Sequence, residues 1–215
     1  MIAKEGYIFI IFTILFTALI LLVPDYIFII ISVILVVSFI FFFRDPKRIK
    51  PPFHKVFLSA ADGEIIELSE EKIDGVEFFK ASVFMSIFNV HVNRIPTAGE
   101  IASISHKSGK FMLAKHPKSS EYNEQNLIEI NSEFGRYYIK QVAGMVARRT
   151  VCYPKQGDYL EAGDKIGIIK FSSRVDHYIP KTFHIVINRG DKVTAGETII
   201  ARQVEKNKNL GGEND

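Results

Sequence analysis

The sequence lacks several features that would have indicated common functions. It contains a single cysteine, Cys152, which excludes an intrachain disulfide and a cysteine-based zinc site and gives no reason to expect an oxidising compartment. Its net charge is only +3, and no basic stripe is interleaved with aromatic residues, so nucleic-acid binding is not expected. We expect no metal site either. Beyond the N-terminal region, no long stretch has a clean 3.6-residue hydrophobic period, which argues against a helical domain.

The N-terminal region consists largely of two apolar runs, residues 7–23 and 27–43. Each run has about 17 residues and as a helix would be roughly 25 Å long, near the lower limit for crossing a bilayer. Pro24 and Asp25 lie between the runs and favour a turn. We therefore predict that residues 1–45 form a membrane-anchoring hairpin of two transmembrane helices.

Three other interpretations of this region stay open: a signal peptide, a pair of buried core helices, or a hairpin that lies in the membrane interface. No small-residue cleavage site follows the first run, and neither run has a polar face. Lys4 precedes the first run, and Arg44, Lys47 and Arg48 follow the second. The positive-inside rule then places both ends in the cytoplasm and the rest of the chain on the inner face of the cell membrane.

Residues 46–206 contain short apolar runs separated by Gly, Pro, Asn and Asp, such as residues 63–68, 127–130 and 183–187. Their length and alternation are typical of strands. We predict a mostly β domain here, with at most a few short helices. The tail, residues 207–215, has little apolar content and is predicted to be disordered.

One internal repeat is visible in this domain. Residues 157–166 and 190–199 share the pattern Gly-Asp-x-apolar-x-Ala-Gly-acid-x-Ile. Each copy offers a Gly-Asp turn, an apolar residue and an Ala-Gly turn into the next strand. The pattern is similar to the hairpins of barrel-sandwich domains of the lipoyl and biotinyl type, and two such hairpins would flank residues 172–173.

The adjacent serines Ser172 and Ser173 lie between two apolar runs. A Ser-Ser pair in such a connection is usually just a turn, because serine bonds readily to nearby backbone. Here the pair belongs to the segment Phe171-Ser172-Ser173-Arg174-Val175-Asp176. This segment resembles the self-cleavage site of phosphatidylserine decarboxylases of the short bacterial type, whose usual form is Phe-Gly-Ser-Arg-Val-Asp.

The resemblance extends over nearly the whole chain, to about residue 203. Residues 84–96 resemble the histidine motif of this family and contain His91, and residues 60–63 match the segment that supplies an aspartate, here Asp62. Further similar segments are residues 43–48, 124–126, 141–149 and 193–201.

This resemblance implies a proenzyme that cuts itself between Ser172 and Ser173. The products would be a large β chain (1–172) and a small α chain (173–215), held together as a heterodimer. Ser173 would attack the carbonyl of Ser172, and elimination from the resulting ester would leave a covalent pyruvoyl cofactor at residue 173. His91 would act as base and acid, with Asp62 orienting it or stabilising its charge.

The activity implied is that of a lyase of phospholipid biosynthesis. The pyruvoyl ketone would form a Schiff base with the amine of phosphatidylserine in the membrane, and loss of CO₂ would give phosphatidylethanolamine.

Two positions depart from the family pattern. Ser172 stands where the family has glycine, and Asn89 stands where it often has aspartate. Glycine tolerates strained backbone better than serine does, while Arg174-Val175-Asp176 sets the register so that Ser173 is the attacking residue. Two alternatives therefore stay open: a catalytically inactive relative, or a membrane-anchored lipoyl-like barrel that serves as a binding module. A carrier barrel, however, would need a modifiable lysine where the serines stand.

Overall fold

The computed structural model describes residues 1–22, 26–109, 122–144, 150–170 and 173–203. The Pro24–Asp25 connection, Ser172 and the predicted tail 207–215 lie outside the described residues. A 3₁₀ turn at Lys4–Gly6 leads into two α-helices, α1 (Tyr7–Ile20) and α2 (Tyr26–Phe42). Antiparallel strands make up most of the remaining described chain. These strands are β1 (Val56–Leu58), β2 (Gly63–Ile73), β3 (Val76–Met85), β4 (Val92–Arg94), β5 (Gly99–Lys107), β6 (Gln125–Ser132), β7 (Gly135–Ala143), β8 (Thr150–Cys152), β9 (Tyr159–Leu160), β10 (Lys165–Ile169), β11 (Ser173–Pro180), β12 (Phe183–Ile185), β13 (Lys192–Val193) and β14 (Ile199–Gln203).

The strands form one large sheet and two small ones. The large sheet has the order β13-β2-β3-β11-β7-β6-β5-β9, and the small sheets have the orders β1-β14-β12 and β4-β10-β8. The main core is built from alternating strand residues such as Ile65, Val83, Ile139 and Val175, all fully buried. Side chains at every second strand position face this core, as strand geometry requires. The central strand β11 is buried on its other face as well.

The predicted transmembrane hairpin is wrong. Among the residues that the structure describes, no helix is long and apolar enough to cross a membrane. Helix α1 has 14 residues and α2 has 17, which correspond to about 21 and 26 Å, short of a hydrocarbon core of about 30 Å. The end of the second apolar run instead packs inside the protein, where Phe42 and Phe43 are buried.

The helical region is attached to the strands through a second hydrophobic cluster. Phe42, Phe43 and Ala3 pack there with Val92 of β4 and Ile168 of β10. Two backbone hydrogen bonds tie the N-terminus to the end of α2: Ala3 N–H donates to the Phe43 carbonyl at 2.8 Å, and Asp45 N–H donates to the Met1 carbonyl at 2.7 Å.

An ion pair lies at the same contact between the helical region and the strands. The Asp45 carboxylate, 2% exposed, accepts a hydrogen bond from Arg94 at 2.7 Å and also contacts Lys165. The segment Phe43-Arg44-Asp45-Pro46 thus connects the end of α2 to strands β4 and β10.

The internal repeat is real, but its two copies are not hairpins. The first copy contains β9 and β10, and the second contains β13 and β14. In each copy the first strand pairs in the large sheet and the second strand pairs in a small sheet. Gly163 and Gly196, the turn glycines, have positive φ angles of 82° and 72°, which favour glycine. Each repeat therefore carries the chain from one sheet to another, which corrects the prediction of lipoyl-like hairpins.

Candidate active site

Ser173 begins β11, in the middle of the large sheet. Its direct cross-strand partners are Met85 at the end of β3 and Ala143 at the end of β7. The side chain is fully buried, and its Oγ has no hydrogen-bond partner among the described residues. A buried hydroxyl without a partner loses its water hydrogen bonds without replacement, so this group needs an explanation, and a role in chemistry is one such explanation.

A tight turn follows β3, and His91 lies between this turn and strand β4. Ser86 N–H and Ser86 Oγ both donate to Asn89 Oδ1, at 2.9 and 2.8 Å. A carboxylate oxygen would accept these two bonds equally well, which explains why asparagine and aspartate both suit position 89. The Asn89 carbonyl lies 3.0 Å from His91 Nδ1.

This contact determines the tautomer of His91. A carbonyl oxygen can only accept, so Nδ1 carries the proton and Nε2 presents its lone pair. His91 is fully buried, and its Nε2 has no partner within the described part of the chain. Burial lowers the pKa of His91 to about 4, although the hydrogen bond to Asn89 opposes that shift. At neutral pH, His91 is therefore an uncharged base with a free acceptor nitrogen.

His177 has a similar pKa and a different role. Burial lowers the pKa of His177 to about 4 as well. Both of its ring nitrogens are satisfied, however: Ala60 N–H donates to Nε2 at 2.8 Å, and Nδ1 lies 2.9 Å from the Ala81 carbonyl. We therefore assign His177 to the structural core, which leaves His91, among the histidines that the structure describes, as the buried one with an available nitrogen.

Asp62 lies in the same part of the molecule without contacting His91 directly. Its carboxylate accepts hydrogen bonds from Arg48, at 2.8 and 2.9 Å, and from Ala195 N–H at 2.8 Å. Asp62 and His91 both interact electrostatically with Arg44. Burial lowers the pKa of Arg44 and Asp62 opposes this, while the charge of Arg44 in turn lowers the pKa of His91. The role of Asp62 stays a prediction.

Two residues around His91 were not singled out from the sequence. The Phe42 ring lies 4.3 Å from the His91 ring, centroid to centroid, so the end of α2 packs on the candidate base. Arg44 donates to the Phe88 carbonyl at 2.7 Å. An apolar groove of about 510 Å³ runs beside them, between α2 and the turn residues Ile87 and Phe88. Arg44 is part of a segment that resembles the family, and this is the signal that could have identified it.

Arg174 holds the start of β11 from the opposite face of the sheet. It is 1% exposed and donates to Asp176 at 2.5 Å, to Glu67 at 2.6 Å and to Ser82 at 2.8 Å. Asp176 is fully buried. Although partial burial alone would raise the pKa of Glu67, the hydrogen bond from Arg174 lowers it. This network fixes the residue that follows Ser173.

We expect the substitution Arg174→Met to destabilise the fold strongly. It removes the guanidinium that pairs with the buried Asp176, and breaking a buried ion pair typically costs about 3–5 kcal/mol. Lys80 and Lys140 also interact with Asp176 and offset part of this loss. Urea unfolding of the uncleaved Ser173→Ala chain, with and without Arg174→Met, measures the difference. Arg136→Met is the control, because Arg136 pairs with Glu129 on the surface. Equal unfolding midpoints for all three chains would show that the Arg174 network carries no stability.

Metal ligation finds no support in this region. Within the ranges that the structure describes, no group of three or more His, Cys, Asp or Glu side chains could hold a metal ion. Cys152 is half-buried, and burial raises the pKa of its thiol to about 11, so it is protonated at neutral pH.

Comparisons with known proteins identify the family of this chain. Residues 37–201 match the family described as phosphatidylserine decarboxylase. The chain is 39% identical over 203 residues to the phosphatidylserine decarboxylase proenzyme of Geotalea uraniireducens, covering 93% of this chain and 95% of that protein. It is 44% identical over 176 residues to the proenzyme of Ehrlichia canis, covering 80% and 78%. It is 37% identical over 170 residues to that of Gluconobacter oxydans, covering 76% of each. The chain therefore belongs to the phosphatidylserine decarboxylase family.

Proposed function

We propose that this chain is the precursor of a pyruvoyl-dependent enzyme that converts phosphatidylserine to phosphatidylethanolamine. Membership of the family supports the reaction. The assignment of the active site is supported mainly by two buried atoms that have no partner among the described residues, Ser173 Oγ and His91 Nε2. A nucleophilic hydroxyl and a neutral imidazole base are the two groups that self-cleavage requires.

Self-cleavage begins as Ser173 Oγ bonds to the carbonyl carbon of residue 172, and the Oγ proton passes to His91 Nε2. The C–N bond then breaks and its nitrogen takes a proton, which leaves an ester. A base removes the Cα proton of residue 173 as the Cβ–Oγ bond breaks, and residue 172 departs as a carboxylate. Water hydrolyses the resulting dehydroalanine, releasing ammonia and leaving a pyruvoyl group at residue 173.

Ser173 Oγ fits this origin of the cofactor, because a side-chain hydroxyl without a hydrogen bond to any described residue can be consumed without loss of such a bond. When present, the pyruvoyl group supplies a ketone that binds the substrate amine and accepts the electron pair left by CO₂. In the mature enzyme we expect His91 Nε2 to hold or deliver the proton that replaces the carboxylate.

The two fragments are expected to stay together after cleavage. The α chain would contain β11 to β14. Strand β11 lies between β3 and β7, and β14 pairs with β1, so the hydrogen bonds of these sheets join the two fragments. This interleaving supports a stable heterodimer.

We propose further that the enzyme acts at the inner face of the cell membrane. Large apolar side chains on the two helices, including Phe12, Leu15 and Ile27, are exposed, and contiguous exposed apolar surface often marks a membrane or protein contact. The substrate is a lipid, and the groove beside His91, with a volume of about 510 Å³, is lined mainly by apolar side chains. We expect the protein to float with phosphatidylserine vesicles in a density gradient and to resist protease added outside intact cells. Protein that stays at the bottom of the gradient, or is digested from outside, contradicts this location.

A carboxyl-labelled substrate tests the reaction. Vesicles of phosphatidylserine labelled at the serine carboxyl carbon are incubated with the purified, cleaved protein, and labelled CO₂ and phosphatidylethanolamine are measured together. We expect equal amounts of the two products, and none with the Ser173→Ala variant. A fully cleaved protein that releases no CO₂ would contradict the proposed reaction.

A further inference from the structure

A chain of buried side-chain amides crosses the protein towards Ser173. Asn126 Nδ2 on β6 donates to Gln141 Oε1 on β7 at 3.2 Å, and Gln141 Nε2 donates to Asn93 Oδ1 on β4 at 2.9 Å. At the outer end, His106 Nδ1 on β5 lies 2.8 Å from Asn126 Oδ1. Asn93 and Gln141 are fully buried, and Asn126 is nearly so. We call Asn126, Gln141 and Asn93 the amide relay.

The direction of the relay is set at its inner end. Asn93 Nδ2 lies 3.7 Å from Met85 Sδ. A thioether has no proton to give, so Asn93 must turn its NH₂ group towards Met85 and its oxygen towards Gln141. Every amide oxygen then accepts from the residue before it, and every NH₂ group donates to the residue after it. Hydrogen bonds aligned in this way polarise one another, so the last donor, Asn93 Nδ2, is strengthened.

Strand register places this inner end beside Ser173. Met85 is the direct cross-strand partner of Ser173. Gln141 pairs with Val175, two residues after Ser173, and therefore lies on the same face of the sheet as Ser173. The backbone leaves space for the relay at Gly167, where an added Cβ would lie 2.8 Å from Gln141 Nε2 and closer still to a backbone carbonyl of β8.

Asn93 on β4 also follows the candidate base, His91, by two residues. The His91 carbonyl accepts a hydrogen bond from Ile169 N–H at 3.4 Å, which continues the pairing of β4 with β10, and side chains two residues apart on a paired strand lie on the same side. The strengthened donor of Asn93 meets only a weak sulfur acceptor, and Ser173 Oγ and His91 Nε2 have no partner among the described residues. Such a donor is suited to an acceptor that arrives during the reaction.

We propose that Asn93 Nδ2, held and polarised by the amide relay, binds a carbonyl or carboxylate oxygen at the Ser173 centre. This inference rests on the proposed function. The oxygen has two sources: the carbonyl of the scissile peptide during self-cleavage, or a carboxylate or carbonyl group of the bound lipid. In the first case, negative charge develops on that oxygen as Ser173 Oγ bonds to the carbonyl carbon and its proton passes to His91. Loss of one such donor typically slows a reaction about 10²- to 10³-fold.

The test compares Asn93→Ala with Met85→Leu. Both remove the Asn93–Met85 contact, but Met85→Leu keeps the amide donor and nearly the same side-chain volume. Self-cleavage is followed by denaturing mass spectrometry after synthesis of the full chain, and each variant is then left until fully cleaved before kcat and KM for phosphatidylserine are measured. We expect Asn93→Ala to slow at least one step about 10²-fold or more, and Met85→Leu to stay close to wild type.

The two steps distinguish the two sources of the oxygen. Slow cleavage with normal decarboxylation assigns the oxygen to the scissile peptide, and normal cleavage with a low kcat/KM assigns it to the lipid. A loss in both steps means that one donor serves both.

A second variant, Asn93→Asp, keeps the oxygen that accepts from Gln141 and replaces the NH₂ donor. Its defect should diminish as the pH falls towards the pKa of the new carboxyl, because the protonated group can donate again. A purely structural role would give no such pH dependence. If Asn93→Ala fails to fold, the pH profile of Asn93→Asp distinguishes a donor role of Asn93 from a purely structural one.

The proposal is overturned if Asn93→Ala cleaves and decarboxylates at the wild-type rates. It is also overturned if Met85→Leu is as slow as Asn93→Ala, because Asn93 would then serve only to hold Met85. The wild-type chain in the same experiment keeps the proposed function separate: failure of the wild type to cleave or to release CO₂ contradicts that function, whereas failure of the variants to differ contradicts only the relay.

Discussion

The Ser173→Ala variant is expected to remain a single chain of 24.4 kDa indefinitely. Alanine lacks the oxygen that attacks the preceding carbonyl, so neither the ester nor the pyruvoyl group can form. The fold should be unchanged, because Ser173 Oγ makes no hydrogen bond to another described residue. Denaturing gel electrophoresis and intact mass after prolonged incubation measure this result, and decarboxylation should be absent.

Ser172→Ala is the matched control for this experiment. It removes the other hydroxyl of the pair but keeps the carbonyl that is attacked, so cleavage should continue. If Ser172→Ala blocks cleavage while Ser173→Ala permits it, the attacking residue has been assigned to the wrong serine. A Ser173→Ala chain that still divides into the same two fragments would exclude self-cleavage by this hydroxyl altogether.

The His91→Gln variant is expected to cleave about 10²- to 10⁴-fold more slowly, the usual contribution of a positioned general base. Glutamine can replace the hydrogen bond to the Asn89 carbonyl but provides no basic nitrogen. Cleavage is followed as fraction of full-length chain against time. His184→Gln is the control, since His184 is an exposed histidine on β12, and it should cleave at the wild-type rate.

The pH dependence of cleavage gives a second test of His91. Only the neutral form accepts a proton, and the pKa of His91 is about 4 because of burial. The wild-type rate should therefore be constant around neutral pH and fall as the pH drops through about 4. A rate that falls instead through about 6.5, the value for an exposed histidine, would mean that the base is not this buried imidazole. Equal rates for His91→Gln and wild type would exclude His91 as the base.

Local sequence patterns predicted some elements of the fold and failed where distant residues decide the structure. Hydrophobicity identified the two apolar runs, yet it could not show that Phe42 and Phe43 turn into the protein and shorten the exposed helices. The repeat identified two pairs of turns correctly. It could not identify the pairing partners of the strands, which come from distant segments and turn the expected hairpins into connections between sheets.

The candidate site shows the same contrast between what local sequence patterns predict and what depends on distant residues. Ser173 and His91 were chosen because their surrounding residues resemble those of a family, and in the structure both are buried, each with one polar atom that has no partner among the described residues. The amide relay was not visible, because Asn93, Gln141 and Asn126 come from three strands and amides are common in any sequence. Only the register of those strands brings the three amides into one hydrogen-bonded line.

The most direct test of the central claim is the intact mass of the purified wild-type protein under denaturing conditions. Conversion of Ser173 to a pyruvoyl group predicts two fragments, residues 1–172 and 173–215, with the small one lighter by one ammonia than the same peptide with an N-terminal serine. A single chain of 24.4 kDa would contradict self-processing. A small fragment that begins with an unmodified serine would show simple hydrolysis and would equally contradict a pyruvoyl enzyme.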